Sequence, residues 1–201
     1  MRTTLLALVG IVVLLGGVFF YAREEHSAEM EEPPTNQELK TYRSETTGIS
    51  FRYPSAYFLE EKDLSSGKHT RYAIILTEDT EENRQVREGT APPREGPTAI
   101  TIDIFQNNLD NYTTENWIRG TNDSNFKLSP DGTLTSVIVG DESGLYYRWS
   151  GLYEGETVAV ARPRFVYALS ATYLNPEDQI RRDFEEITKT LRFTDNTPEL
   201  E

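Results

Sequence analysis

The stretch Arg164–Tyr173 constrains the fold more than any other. It reads RFVYALSATY, and after Arg164 it holds no charged side chain. In a strand, Phe165, Tyr167, Leu169, Ala171 and Tyr173 fall on one face, and Val166, Ala168, Ser170 and Thr172 on the other. The second face is small and uncharged, whereas a strand with one wet face carries charge there. A strand of this kind is covered on both sides. The chain is therefore expected to place a β-sheet between helices, rather than a hairpin over a one-sided core.

Other segments read as strands too. Gly48–Pro54 (GISFRYP) sets Ile49, Phe51 and Tyr53 against Ser50 and Arg52, a half-buried strand stopped by a proline. Further strands are expected at Tyr57–Glu60, Arg71–Thr77, Thr98–Gln106, Leu134–Val139, Gly144–Ser150 and Glu156–Ala161. Glu78–Pro97 is charged and contains three prolines, so it reads as an exposed loop with room for a short helix at its start. Thr113–Arg119 (TTENWIR) reads as a short helix with a threonine cap and Glu115 in its first turn. A last helix, Asn175–Leu191, is expected to begin with Asn175 as N-cap and Pro176 at its first position. Ile180, Phe184, Ile187 and Leu191 give that helix one apolar stripe for the sheet.

The amino-terminal segment bears on placement. Leu5–Tyr21 (LLALVGIVVLLGGVFFY) has no charged side chain; at about 1.5 Å per residue it spans roughly 25 Å, the short end of a transmembrane helix. Arg2 precedes it, and Glu24 and Glu25 follow Arg23. This bias keeps the amino terminus cytoplasmic and exports the remainder to the periplasm or cell surface. A cleaved signal peptide is the competing reading, although no A-x-A-like site follows. The expected organisation is an anchor over 1–22, an acidic proline-containing stalk over 23–41, an α+β domain over 42–193 and a polar tail over 194–201. A domain of that size buries a core without staples, and the chain has no cysteine to form any. Its net charge of −13 disfavours nucleic acid and anionic headgroups as partners; the acidity reads first as a solubilising surface, with a basic partner or a divalent cation as the sharper alternative.

No motif for chemistry stands out. His26 lies in the stalk and His69 in the SSGKHTRY loop; there is no HExxH-like spacing for a metal, and a Ser-His-Asp triad would have to use His69 with no serine in a G-x-S-x-G elbow. Asn122-Asp123-Ser124-Asn125 supplies oxygens but lacks the glycine and distal glutamate of a calcium loop, and reads as a turn. Asn111-Tyr-Thr and Asn122-Asp-Ser match the glycosylation sequon, which matters only in a eukaryotic secretory pathway. Tyr146, Tyr147, Trp149 and Tyr153 form an aromatic group read as inter-strand packing, with a docking surface as the alternative. No catalytic, cofactor-binding or metal residue is assigned, and no cofactor is expected.

Three pieces then line up: YRSETTGISFRYP over Tyr42–Pro54, the TTENWI helix, and FVYALSATY followed by a helix and ITKTLRF. Together they resemble the Mog1/PsbP-like superfamily, including its membrane-anchored bacterial PsbP-like domains, over Tyr42–Phe193. Phe51, Tyr53, Pro54, Tyr167, Tyr173, Phe184, Leu191 and Phe193 carry the resemblance. It implies an α/β/α sandwich built on an antiparallel sheet, and non-enzymatic docking to a larger assembly. The expected function is a membrane-anchored, extracytoplasmic binding or accessory module that engages an envelope protein or a small ligand. The alternatives are a structural subunit of an envelope complex and a carboxylate-dependent hydrolase.

Overall fold

The computed structural model describes residues 38–67, 69–107 and 110–194. The run Leu5–Tyr21, the stalk up to residue 37 and the tail beyond Thr194 lie outside the described residues. Within them, no helix is long and apolar enough to cross a membrane.

The chain runs β1 (Leu39–Ser44), β2 (Ile49–Pro54), β3 (Tyr57–Asp63), β4 (Arg71–Glu78), α1 (Glu81–Arg87), β5 (Ile100–Gln106) and α2 (Thr114–Gly120). After a 3-10 turn at Phe126–Leu128 come β6 (Thr135–Val139), β7 (Glu142–Ser150), β8 (Glu154–Ala161), β9 (Phe165–Tyr173), α3 (Gln179–Thr190) and β10 (Arg192–Phe193). The described residues form two antiparallel sheets. The larger has the order β3-β4-β5-β9-β8-β7-β6, and the smaller has β1-β2-β10.

β9 lies in the middle of the larger sheet, and both of its faces are covered as its composition demands. On one face Tyr167, Leu169, Ala171 and Tyr173 join Ile74, Leu76, Ile100, Ile102, Ile104, Val158 and Val160 in the main core. The small sheet and α3 close this side, with Ile180, Phe184, Ile187 and Leu191 all buried. Each such side chain contributes about 1.5–3 kcal/mol. On the other face Val166, Ala168 and Ala159 underlie Trp117, Ile118, Tyr147 and Trp149, and α2 packs on β7 and β8.

Two polar ties fix α3. Glu156 on β8 is 3% exposed and takes both arms of the Arg181 guanidinium, Nε to Oε1 and Nη2 to Oε2, each at 3.0 Å. The Tyr146 hydroxyl donates to the same carboxylate at 3.0 Å. The second tie is Asp183, which accepts from the Tyr57 hydroxyl at 2.9 Å and from Gln179 Nε2 at 2.9 Å. Burial and the Asp183 charge push the Tyr57 phenol far above its ordinary range.

Two expectations change and a third is refined. β1 opens at Leu39, inside the segment read as stalk, because it pairs along its whole length with β2 even though Tyr42 alone is buried in it. Asn175 does not cap the last helix. Asn175 to Asp178 forms a turn, with Asp178 N–H donating to the Asn175 carbonyl at 3.1 Å. The Asp178 carboxylate accepts the amides of Leu174 and Asn175, both at 2.9 Å, and α3 starts at Gln179. The aromatic group is divided by the two-residue period of β7. Tyr147 and Trp149 are buried beside α2, while Tyr146 faces the α3 side and Tyr153 bonds the Gly96 carbonyl at 2.6 Å.

Gly155 is the tightest position in the sheet: a Cβ there would intrude into the Trp149 indole. The indole itself is held by its N–H bond to Thr157 Oγ1 at 2.9 Å. Gly155→Ala is expected to cost about 2 kcal/mol, read as a fall in urea midpoint at unchanged slope. Tyr57→Phe leaves buried Asp183 one donor short and is expected to cost about 1–3 kcal/mol in the same measurement.

Candidate functional site

The short α2 covers the β7–β8 half of its face, and a cleft of about 310 Å³ opens beside it, at the end of the sheet where β4 begins and β5 ends. Local chemistry positions each wall. Thr113 caps α2, its hydroxyl accepting the Asn116 amide at 3.3 Å, as the sequence predicts. That places Trp117 against Phe105 on β5, with ring centroids 5.1 Å apart. Beyond α2, buried Ser124 donates to the Ile118 carbonyl at 2.7 Å and accepts the Phe126 amide at 3.2 Å. This folds back the Thr121–Asn125 turn, and Asn125 takes a left-handed φ of 58°. Asp123 stands on that turn at the cleft.

The loop after β5 is pinned by Asn107, which is buried. Its side-chain amide donates to the carbonyls of Tyr112 (3.1 Å) and Arg162 (2.9 Å), and its oxygen accepts the Tyr112 amide at 2.7 Å. Asp110 and Tyr112 are thereby brought to the rim, opposite His69 and Thr70. His69 is exposed, as expected of a loop residue, and its backbone pairs with Ser66.

Arg71 dominates the electrostatics. Ladder pairing sets it opposite Phe105, and its guanidinium lies 4.9 Å from that ring. From below, Asp103 Oδ1 accepts both Arg71 Nε (3.1 Å) and Nη2 (2.8 Å), while Asp123 sits 3.7 Å from Nη1. Burial raises the Asp103 pKa above the ordinary carboxylate value; Arg71 opposes that rise and the neighbouring Asp123 charge adds to it. With Arg71 matched by Asp103, Asp110 and Asp123 leave the cleft with excess negative charge beside three aromatic side chains, Phe105, Tyr112 and Trp117.

From the sequence, His69 reads as a loop residue and Asn122–Asn125 as a turn, with no site assigned to either; His69, Asp123 of that turn and Trp117 of α2 all line this cleft. Sequence reasoning did not single out Arg71, Asp103 or Asn107. Asp103 was visible as the one charge within TAITIDIFQ, but its partner required the β4–β5 register. The expected loop Glu78–Pro97 forms a separate, shallower hollow, where Glu82, Asn83, Arg94 and Pro97 meet Tyr153 and Leu174. Its helix α1 is capped by Thr80, whose hydroxyl accepts the Asn83 amide at 3.2 Å.

No family profile and no curated protein matches the chain. Among solved structures, it is similar to the solution structure of cyanobacterial PsbP (CyanoP) from Synechocystis sp. PCC 6803. That match has a TM-score of 0.48 and 8% identity, and covers 78% of this chain and 93% of that one. It is also similar to a crystal structure from Bacteroides thetaiotaomicron VPI-5482, with a TM-score of 0.44 and 13% identity over 78% of this chain and 49% of that one.

Because its folded-state pKa is raised, Asp103 binds its proton more tightly in the native than in the unfolded state. Its contribution to stability is therefore fullest below the unfolded value and declines as pH rises through the raised value. Urea titrations from pH 3.5 to 7 are expected to show wild type losing ground to Asp103→Asn as pH rises above about 4, with the difference levelling once Asp103 is ionised. A pH-independent difference would contradict the raised value.

Proposed function

We propose that the chain is a membrane-anchored, extracytoplasmic PsbP-like binding module without catalytic activity, and that it docks a basic protein partner through the Arg71–Trp117 cleft. The observation that carries this reading is the cleft's composition: aromatic walls from Phe105, Tyr112 and Trp117 beside Asp110 and Asp123, where the single cation Arg71 is shared between Asp103 and Asp123 and leaves negative charge in excess. Aromatic faces and carboxylates together suit a lysine or arginine side chain, at about 0.5–2 kcal/mol per cation–π contact. The chain's net charge of −13 would steer a basic partner toward the domain. Placement rests on the apolar run Leu5–Tyr21 and the charges flanking it, and the family on the framework residues Phe51, Tyr53, Pro54, Tyr167 and Phe193.

A carboxylate-dependent hydrolase is favoured by one observation, the raised pKa of Asp103 near Asp123. Against it, Arg71 sits between these carboxylates and binds both, and Asp103 lies beneath the cleft rather than among its lining residues. A structural subunit of an envelope complex would use the same anchor but not the cleft.

The test is affinity capture from solubilised membranes with the tagged full-length chain, wild type against the Asp110→Lys, Asp123→Lys double variant. A basic protein is expected with wild type, reduced at least tenfold by the double variant and by 0.5 M salt. Equal recovery by both forms, or no partner with either, would remove the cleft from the account.

A further inference from the structure

Two strands bound the larger sheet, and they are guarded unequally. β3 carries Glu60, Glu61, Lys62 and Asp63, the charged kind of edge that discourages a further strand. β6 reads Thr135-Ser136-Val137-Ile138-Val139 and carries no charge. Ile138 projects from it at 73% exposure, the highest among the exposed large apolar residues described.

The turn after β6 fixes which of its backbone groups are free. Gly140 and Asp141 both have positive φ, 55° and 71°, as a two-residue type I′ hairpin requires. Val139 and Glu142 are therefore the closing hydrogen-bonded pair. By alternation Val137 and Thr135 turn their N–H and C=O groups toward β7, and Ser136 and Ile138 turn theirs outward. Among the described residues, no backbone or side-chain partner meets those outward groups.

We infer that β6 is a homodimerisation edge, on which two copies of the chain pair antiparallel about a two-fold axis at Val137. The register follows from the free groups. Centring on Val137 sets Ser136 of one copy opposite Ile138 of the other, and both of these residues offer outward N–H and C=O. Two reciprocal pairs of hydrogen bonds result, flanking Val137 against its own copy as a non-hydrogen-bonded pair. The two Ile138 side chains become diagonal neighbours on one face, about 7–8 Å apart, and cover each other. Charge selects the same place. Copies carrying −13 each repel over most of their surface, and β6 is a strand without a carboxylate. In this register Asp141 comes opposite Thr133, so no acid faces another between 133 and 141.

The absence of cysteine makes the register directly testable in the full-length chain in mild detergent. The Val137 Cα atoms of the two copies would lie about 4.5 Å apart, within reach of a disulfide. Under mild oxidation Val137→Cys is expected to run mainly as a covalent dimer. Thr135→Cys, whose copies would be separated by four residues or about 13 Å, is expected to form no covalent dimer, and neither is Lys62→Cys on the opposite edge. In sedimentation, Ile138→Lys is expected to raise the wild-type monomer–dimer midpoint at least tenfold, and higher salt to lower it by screening. Since Ile138 is exposed, the lysine leaves the fold intact. Val137→Cys linking no better than Thr135→Cys, or Ile138→Lys sedimenting like wild type, would overturn the proposal.

Discussion

The Glu156–Arg181 pair is the interaction on which the rest of the arrangement depends. A carboxylate taken out of water in the middle of a sheet is costly unless its partner is well aligned and its other lone pairs are satisfied. Here both guanidinium arms meet it at 3.0 Å, Tyr146 supplies a third bond, and the guanidinium also lies 4.8 Å from the Tyr173 ring. Because Glu156 is fixed on β8 and Arg181 on α3, this geometry sets the helix's rotation about its own axis. The stripe Ile180, Phe184, Ile187 and Leu191 can then meet the sheet in one way only. The Tyr57–Asp183 bond makes the same demand from β3. The helix leads straight into β10, which closes the small sheet beside β2.

With that face sealed by α3 and the small sheet, the other is left to a seven-residue helix and a 3-10 turn. They cover the β7–β8 side, and the β4–β5 end remains open. The cleft is thus a consequence of unequal covering. Its charged floor follows from the same fact: Arg71 and Asp103 lie on the under-covered face, where a charge can be partnered without being fully buried.

Much of the framework was legible because it depends on short-range patterns. The uncharged β9 announced a two-sided sheet, and the threonine before TENWIR announced a cap that the structure contains. The failures arose where a local signal competed with a nearby one. Asn175-Pro176 has the form of a helix start, but Asp178 three residues on is the better acceptor for the Leu174 and Asn175 amides and delays the helix. β1 shows no alternation because its stability comes from its ladder with β2. Tyr146, Tyr147 and Trp149 pack into the core as read, but on two faces, because adjacent residues on a strand point opposite ways. The cleft was illegible for a different reason. Arg71, Asp103 and Asp123 are far apart in sequence, and only the β4–β5 register and the folding back of the turn after α2 bring them together.

A double-mutant cycle across the buried pair tests the account most directly. Urea unfolding would compare Glu156→Leu, Arg181→Met and the double variant with wild type. Each single change leaves a charge without its partner; Arg181→Met, which strands the buried Glu156, is predicted to cost about 3 kcal/mol or more, and Glu156→Leu, which leaves a partly exposed guanidinium, somewhat less. The double variant removes both charges and is predicted to cost no more than about one single change, which is strong coupling. Additive losses would show that α3 is held by its apolar stripe alone, and would contradict the central role given to Glu156 and Arg181.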